Sequence, residues 1–198
     1  MVQNKLLPVY YLSNIDIKSR PLKIKNWDTL IQKLQKNVFN YITIDNKYIN
    51  SVTDLNYNHI SSYGEIKAII NVLNLTQHVS KYVIHISTGA AESHIHVDMG
   101  DDYLYSLNIP ISNCQDTYID IYETIEVAEP VMYSQSSTVS FPIYNEDVCV
   151  FKGRFSTSTP YILNTQIPHK VIPNNNSNKR IMLLIRLKPS FDINSLIL

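Results

Sequence analysis

The segment His94-Ile-His96-Val-Asp98 concentrates imidazole and carboxylate side chains over five residues. On an extended strand, residues two apart point to the same side, so His96 and Asp98 can present a nitrogen and an oxygen ligand to one metal ion. Two histidines and one carboxylate leave three adjacent positions open on an iron(II) ion. The missing ligand should be a distant histidine, and His169, just after Ile167-Pro168, is the candidate.

Two arginines follow His169 in the last apolar stretch of the chain, Arg180 and Arg186. An oxoacid bound to the metal through two of its oxygens needs a cation to hold its far carboxylate. Arginine suits this role because its planar fork donates two parallel hydrogen bonds and stays charged when desolvated. Both arginines lie on one face of a strand, since their separation is even. Asn108 interrupts another apolar stretch, and an inward-pointing amide there needs partners, such as a bound cosubstrate or a metal ligand.

The elements that must position these residues follow two different hydrophobic periods. A helical period begins at Asn26 and another begins at the capping box of Ser62 and Glu65, which predicts two helices before residue 80. From Lys81 the pattern alternates, which predicts about eight strands. The predicted strands are Tyr82–Ser87, Ser93–Val97, Tyr103–Ile109, Tyr118–Thr124, Val148–Phe155, Tyr161–Thr165, Lys170–Ile172 and Arg180–Leu187.

This order predicts an α+β fold, mainly β, in which two N-terminal helices support a double-sheet jelly roll. The length of 198 residues fits a single domain. Within it, residues 1–80 would form the helical support, residues 81–189 the β core and residues 190–198 a tail. The stretch from Glu126 to Asp147 contains Pro130, Pro142 and a Ser-rich centre, so we expect a long excursion that covers the open end of the barrel.

Composition narrows the classes of function. Lys plus Arg and Asp plus Glu both total 17, so the formal net charge is zero and does not favour a nucleic-acid partner. The two cysteines, Cys114 and Cys149, are too few for a disulfide scaffold and indicate a reducing compartment. No signal sequence or membrane span is evident, so we expect a cytoplasmic location.

The order His96-Val-Asp98, then His169, then Arg180 resembles the HxD...H...R pattern of the iron(II)- and 2-oxoglutarate-dependent dioxygenases. The segments Tyr105–Cys114 and Pro160–His169 are also similar to those of small prolyl or aspartyl/asparaginyl hydroxylase-like members. The resemblance covers about Lys81 to Pro189. It implies a double-stranded β-helix, a cupin-like jelly-roll barrel with the metal at its open end.

The resemblance further implies that His96, Asp98 and His169 bind Fe(II) and that Arg180 holds 2-oxoglutarate, with Arg186 as the alternative. Asn108 and Tyr105 are further candidates for cosubstrate binding, although Tyr105 also suits simple packing. The implied reaction consumes 2-oxoglutarate and dioxygen and hydroxylates an unidentified substrate, a small molecule or a protein side chain.

Two other functions stay open from the residues alone. A cupin-like metalloenzyme without 2-oxoglutarate would use His94 as a ligand and would leave both arginines away from the metal. A non-catalytic jelly-roll binding protein would not bring His96, Asp98 and His169 together. A short HxD segment by itself is common in strands that bind nothing, so the motif alone does not decide among the three hypotheses. The positions of the side chains in the folded chain decide among them.

Overall fold

The computed structural model describes residues 7–12, 18–22, 29, 32–36, 53–56, 64–87, 94–98, 100–125, 132–135, 140–174 and 179–193. Within these ranges the chain is mostly β, with a helix at Gly64–Val72 and further helical residues at 29 and 32–36. The strands are β1 Leu7–Leu12, β2 Lys18–Leu22, β3 Thr53–Asn56, β4 Val79–Ser87, β5 Ile95–His96, β6 Tyr105–Ser112, β7 Tyr118–Thr124, β8 Met132–Gln135, β9 Ser140–Tyr144, β10 Cys149–Ser156, β11 Tyr161–Asn164, β12 His169–Ile172 and β13 Arg180–Leu187.

The strands form two sheets. One has seven strands in the order β2-β1-β11-β6-β13-β4-β3, and the other has six in the order β10-β7-β12-β5-β9-β8. The neighbouring strands are antiparallel except for β1 and β11, which are parallel. Strands that follow one another in the chain often belong to different sheets, so residues far apart in sequence become neighbours.

The Gly64–Val72 helix packs through Ile66, Ile69 and Ile70, which share one face because they are spaced by three and four residues. It ends in a Schellman motif. Asn74 adopts a left-handed φ of 53°, the Leu75 amide donates to the Ile70 carbonyl at 2.8 Å, and the Asn74 amide donates to that of Asn71 at 3.1 Å. These bonds satisfy carbonyls at the helix end and turn the chain towards β4.

The interior strand β13 separates two apolar cores. Ile181, Leu183, Ile185 and Leu187 pack in the core shared with the helical residues, whereas Met182 and Leu184 pack in the core shared with β7 and β11. All eight residues of β13 are buried. Arg180 and Arg186 have the same parity as Met182 and Leu184, so their strand positions face the second core.

The described residues agree with the predicted β-rich fold and correct its N-terminal part. Residues 1–80 are not purely helical, because β1, β2 and β3 lie there and join the seven-stranded sheet. The Asn26 and Ser62 caps lie outside the described residues. The Glu126–Asp147 excursion contains the paired strands β8 and β9, and its remaining segments, 126–131 and 136–139, also lie outside the description.

Among the described residues, no helix has the length and apolar composition that crossing a membrane requires.

Candidate metal site

The structure brings His96, Asp98 and His169 together. One ligand atom from each lies within 4.8 Å of the other two, and His96 Nε2 is 3.6 Å from Asp98 Oδ1. Strand pairing explains the convergence, because His169 in β12 stands directly opposite His96 in β5. Their ring centroids are 4.4 Å apart. The distant histidine that the sequence analysis selected therefore lies beside the HxD pair.

Both imidazoles are oriented by a carbonyl two residues earlier in the chain. His96 Nδ1 is 2.8 Å from the His94 carbonyl, and His169 Nδ1 is 2.7 Å from that of Ile167. A carbonyl oxygen only accepts, so each Nδ1 carries the hydrogen and each neutral ring leaves the Nε2 lone pair available. This is the tautomer that a metal ligand bound through Nε2 requires.

The backbone around Asp98 is tied to the turn that precedes His169. The Asp98 amide donates to the Thr165 carbonyl at 2.8 Å, while Thr165 itself donates its hydroxyl and its amide to the Leu104 carbonyl, at 2.8 and 3.0 Å. Thr165 is fully buried. These bonds fix the ligand-bearing segments relative to each other independently of any ion.

Arg186 forms an ion pair with the cluster's carboxylate. Its Nη1 donates to Asp98 Oδ2 at 2.8 Å, and the Arg186 side chain is 4% exposed. Burial by itself would raise the pKa of Asp98, but the charge and hydrogen bond of Arg186, together with His169 and His96, hold that pKa below its ordinary range. Asp98 is therefore an anion at neutral pH, with Oδ1 facing His96 and Oδ2 facing Arg186.

His169 is held in its neutral form. Burial, followed by the neighbouring His96, lowers its pKa from 6.5 to about 4, although Asp98 acts in the opposite direction. Isoleucines flank the two histidines across the sheet. Ile121 in β7 is paired with His169, and Ile143 in β9 is paired with His96. Both isoleucines are buried. The cluster thus has an ionised carboxylate, a neutral His169 and an apolar border, which together suit a metal ion.

The donor set fits a divalent transition metal. Nitrogen and oxygen ligands lie roughly 2.0 to 2.2 Å from such an ion, which places neighbouring donors about 3 to 3.5 Å apart. The 3.6 Å between His96 Nε2 and Asp98 Oδ1 is close to that spacing, so small side-chain rotations bring the donors around one ion. Imidazole and carboxylate ligands are compatible with Fe(II), Mn(II), Co(II) and Zn(II), and the donor set alone does not select one of them.

A second polar group lies on the inward face of β6, β11 and β13. The Ser106 hydroxyl donates to Asn108 Oδ1 at 2.6 Å, and Asn108 and Arg180 both hydrogen-bond the Tyr161 side chain. Ser106, Asn108, Tyr161 and Arg180 are all at most 5% exposed. Burial raises the pKa of the Tyr161 hydroxyl, which keeps it protonated.

Arg180 is buried without an acidic partner in the described part of the chain. Its Nη2 contacts Met182 Sδ, its Nε has no hydrogen-bond partner, and none of the described carboxylates is within ion-pair distance. A desolvated guanidinium without a counter-ion costs several kcal/mol, roughly the penalty for one buried ion. This position therefore has the properties of an anion-binding site.

The other residues that the sequence singled out are placed differently. Tyr105 does not join the buried polar group, because it packs against the helix-side core and its ring lies 6.1 Å from that of Phe191. Parity explains this placement, since Tyr105 points to the opposite face of β6 from Ser106 and Asn108. A cosubstrate contact of Tyr105 stays a prediction. His94 is exposed and is not part of the described metal cluster.

Tyr161, like Ser106, received no role from the sequence. It lies in the Pro160–His169 segment, but tyrosines are frequent in this chain, which has 14 of them, so the residue type carried little signal. Its pairing with Asn108 across β11 and β6 places the two side chains on one face. This register, which the sequence does not give, brings Tyr161 into the polar group.

The strand β9 borders the metal cluster. Its Ile143 is paired with His96, so the β8–β9 hairpin extends the six-stranded sheet from the ligand strand β5. The Glu126–Asp147 excursion therefore lies beside the cluster in its described part. Its role as a movable cover stays a prediction.

Comparisons with known proteins do not identify the chain. No protein-family model matches it, and no curated protein matches its sequence. Among solved structures, one match is AviO1 from Streptomyces viridochromogenes Tue57, with 9% identity, a TM-score of 0.39, and coverage of 87% of this chain and 89% of that one. This similarity is too weak to indicate a fold or an activity for the chain.

Proposed function

We propose that the protein is an iron(II)- and 2-oxoglutarate-dependent oxygenase. His96, Asp98 and His169 would hold the metal, and Arg180 would hold the far carboxylate of 2-oxoglutarate. The observation that carries the proposal is the buried Arg180 guanidinium, which has no carboxylate partner among the described residues and faces the same core as Arg186. The metal cluster alone would fit many metalloproteins, but the added anion site favours a dicarboxylic cosubstrate.

We infer that the two sheets form a double-stranded β-helix. The support is the order in which the chain visits them, since β4, β6, β11 and β13 belong to the seven-stranded sheet and β5, β7, β10 and β12 belong to the six-stranded one. Alternation of this kind is typical of a jelly roll. In such a barrel the metal ligands of β5 and β12 would face the arginines of β13 across the interior.

Each residue would contribute to binding rather than to covalent chemistry. When bound, iron(II) supplies the redox chemistry by which dioxygen is reduced. Tyr161 and Asn108 would orient the Arg180 guanidinium, and Tyr161, being protonated, could also donate to the bound carboxylate. Arg186 would keep Asp98 Oδ2 occupied, so that Oδ1 is the oxygen available to the metal. Ile121 and Ile143 would exclude water beside the ligands.

The overall reaction balances without another reductant. 2-Oxoglutarate and dioxygen give succinate and carbon dioxide, one oxygen atom enters the succinate, and the other enters a C–H bond of the substrate. The keto acid and the substrate each supply two electrons. A small molecule or a protein side chain would both fit this chemistry as the substrate.

Succinate formation tests the proposal without knowledge of the substrate, because such oxygenases also turn over 2-oxoglutarate slowly when no substrate is present. The purified protein is incubated with Fe(II), 2-oxoglutarate, air and ascorbate, which supplies the two electrons that the missing substrate would give, and succinate is quantified by mass spectrometry. Asp98→Asn and Arg180→Met should both abolish succinate formation, while His94→Gln should not alter it. Absence of succinate from the wild-type protein, after iron binding is verified, would contradict the proposal.

The same comparison tests the cupin-like alternative. A metalloenzyme without 2-oxoglutarate would form no succinate and would be indifferent to Arg180→Met. If His94 were a ligand, His94→Gln would lower metal affinity as strongly as His96→Gln.

A further inference from the structure

We propose that Tyr103 is a positioning residue that fixes the Arg186 guanidinium against Asp98 and thereby sets the affinity of the metal site. The proposal rests on the proposed function, because it takes His96, Asp98 and His169 as metal ligands. Tyr103 would act through Arg186, the cation that pairs with one of these ligands.

The Tyr103 ring contacts Arg186 directly. The Arg186 guanidinium carbon lies 4.7 Å from the ring centroid, which is within the range of a cation–π interaction. Tyr103 is 1% exposed and Arg186 is 3% exposed, so the contact is desolvated. A flat guanidinium stacked on a buried ring loses its freedom to rotate, and its Nη1 then remains directed at Asp98 Oδ2, 2.8 Å away.

The chain just after Asp98 also packs against the Tyr103 ring. A Cβ atom added at Gly100 would overlap Tyr103 atoms Cδ1, Cε1 and Cζ, so the Gly100 backbone lies directly against the ring. Gly100 has no positive φ, and the close approach is therefore the reason for glycine here. The ring thus contacts both the chain just beyond the ligand Asp98 and the cation that pairs with that ligand.

Lys81 adds an electrostatic reason for the arrangement. Lys81 and Arg186 are paired across β4 and β13, so two cations stand opposite each other. Like charges at directly opposed positions are unfavourable. Lys81 Nζ lies 4.6 Å from the Tyr103 centroid and 3.3 Å from Asp102 Oδ1. Each cation therefore has its own carboxylate, and both contact the one ring, which lets Arg186 stay beside Asp98 despite its neighbour.

The test measures metal affinity with Co²⁺, whose visible absorption reports ligand geometry. Removing a partner that orients a metal ligand usually weakens affinity by about 10- to 100-fold. We expect Tyr103→Leu to weaken Co²⁺ binding about tenfold and to alter the Co²⁺ absorption bands. Tyr103→Phe keeps the ring face, so this variant should retain the wild-type Co²⁺ affinity and the wild-type absorption bands. Tyr118→Leu is the matched control, because it removes a different Tyr–Arg contact. In that contact the Arg154 guanidinium carbon lies 5.7 Å from the Tyr118 ring centroid.

A double-mutant cycle separates this role from a general loss of packing. If Tyr103 acts through Arg186, then Tyr103→Leu should weaken Co²⁺ binding by less than about threefold in an Arg186→Gln background. Equal losses in both backgrounds, or wild-type affinity in Tyr103→Leu, would overturn the proposal. If Tyr103→Leu does not fold, Gly100→Ala serves as the second variant, because its methyl group displaces the Tyr103 ring. Gly100→Ala should also weaken Co²⁺ binding, and unchanged Co²⁺ binding in this variant would overturn the proposal. A wild-type protein that binds no Co²⁺ would overturn the proposed function itself.

Discussion

Replacing Arg180 by methionine should stabilise the protein while greatly weakening its binding of 2-oxoglutarate. Arg180 is 5% exposed, and its Nε has no hydrogen-bond partner. Methionine has a similar length and no charge to desolvate. The expected gain in stability follows from the absence of an acidic partner among the described residues, which leaves the cost of burying the guanidinium uncompensated until an anion binds.

The size of the stabilisation can be bounded from known substitutions. Replacing buried ionic groups by apolar residues of similar volume changes stability by roughly 1 to 4 kcal/mol in the stabilising direction when the charges were poorly compensated. The variant also loses the hydrogen bond between Arg180 and Tyr161, worth about 1 kcal/mol, although Asn108 still bonds that hydroxyl. The net gain is about 2 kcal/mol, which for a chain of 198 residues raises Tm by about 4 to 8 °C.

Loss of the cosubstrate should be larger than this gain. A guanidinium that donates two charge-assisted hydrogen bonds to a carboxylate contributes about 3 kcal/mol or more. That corresponds to at least roughly a hundredfold increase in the Kd for 2-oxoglutarate. Metal affinity should be unchanged, because Arg180 does not contact the cluster of His96, Asp98 and His169.

Urea unfolding of the metal-free protein measures the stability, and titration calorimetry with Fe(II)-loaded protein under anaerobic conditions measures 2-oxoglutarate binding. Arg154→Met is the matched control with the opposite expected sign. Arg154 is half exposed and forms two hydrogen bonds, 2.7 and 2.8 Å, with the buried Asp120, which the control leaves without a counter-ion. A destabilised Arg180→Met protein, or one with wild-type affinity for 2-oxoglutarate, would refute the reasoning.

Two further predictions concern the metal ligands. Asp98→Asn leaves the buried Arg186 without its carboxylate and should cost about 3 to 5 kcal/mol of stability in the metal-free protein. His96→Gln should cost about 1 kcal/mol. Both variants should abolish metal binding, and equal stabilities of the two by urea unfolding would contradict the ion-pair role of Asp98. The pKa of His169 falls from 6.5 to about 4 on folding, so between these pH values the unfolded chain binds a proton that the folded chain does not. The contribution of His169 to the free energy of unfolding should therefore be complete above pH 6.5. It should decrease by about 3 kcal/mol as the pH drops to 4. His169→Gln should remove this pH dependence, His94→Gln should not, and a flat wild-type profile would contradict it.

The strands of the β core were predictable where burial follows a simple pattern. Tyr118–Thr124 and Arg180–Leu187 have the predicted bounds, because β-branched and apolar residues there satisfy a core on at least one face. The N-terminal strands were missed. Pro8 in β1 is paired with Pro21 in β2, at a position where neither residue can donate a ladder bond, and β3 is a short polar edge strand, Thr53–Asn56. β1 and β3 join the sheet by pairing with β11 and β4, which lie further along the chain, and no local pattern encodes those contacts.

The candidate site was predictable in its residue types and less so in its contacts. The period of two placed His96 and Asp98 on one side of a strand, and the distant His169 followed from the required donor set. The register that sets His169 opposite His96 is a property of the folded sheets. The same holds for Arg186. Its shared face with Arg180 followed from their even separation, but its contact with Asp98 joins residues 88 positions apart and could not be derived from spacing.

Anaerobic titration with Fe(II) followed by 2-oxoglutarate tests the central claim most directly, because only a keto acid chelated to iron(II) produces the weak visible charge-transfer band. The wild-type protein should develop this band after both additions and not after either one alone. Arg180→Met should need a far higher 2-oxoglutarate concentration, and Asp98→Asn should show no band. Iron binding by the wild type without any band at saturating 2-oxoglutarate would contradict the proposed function.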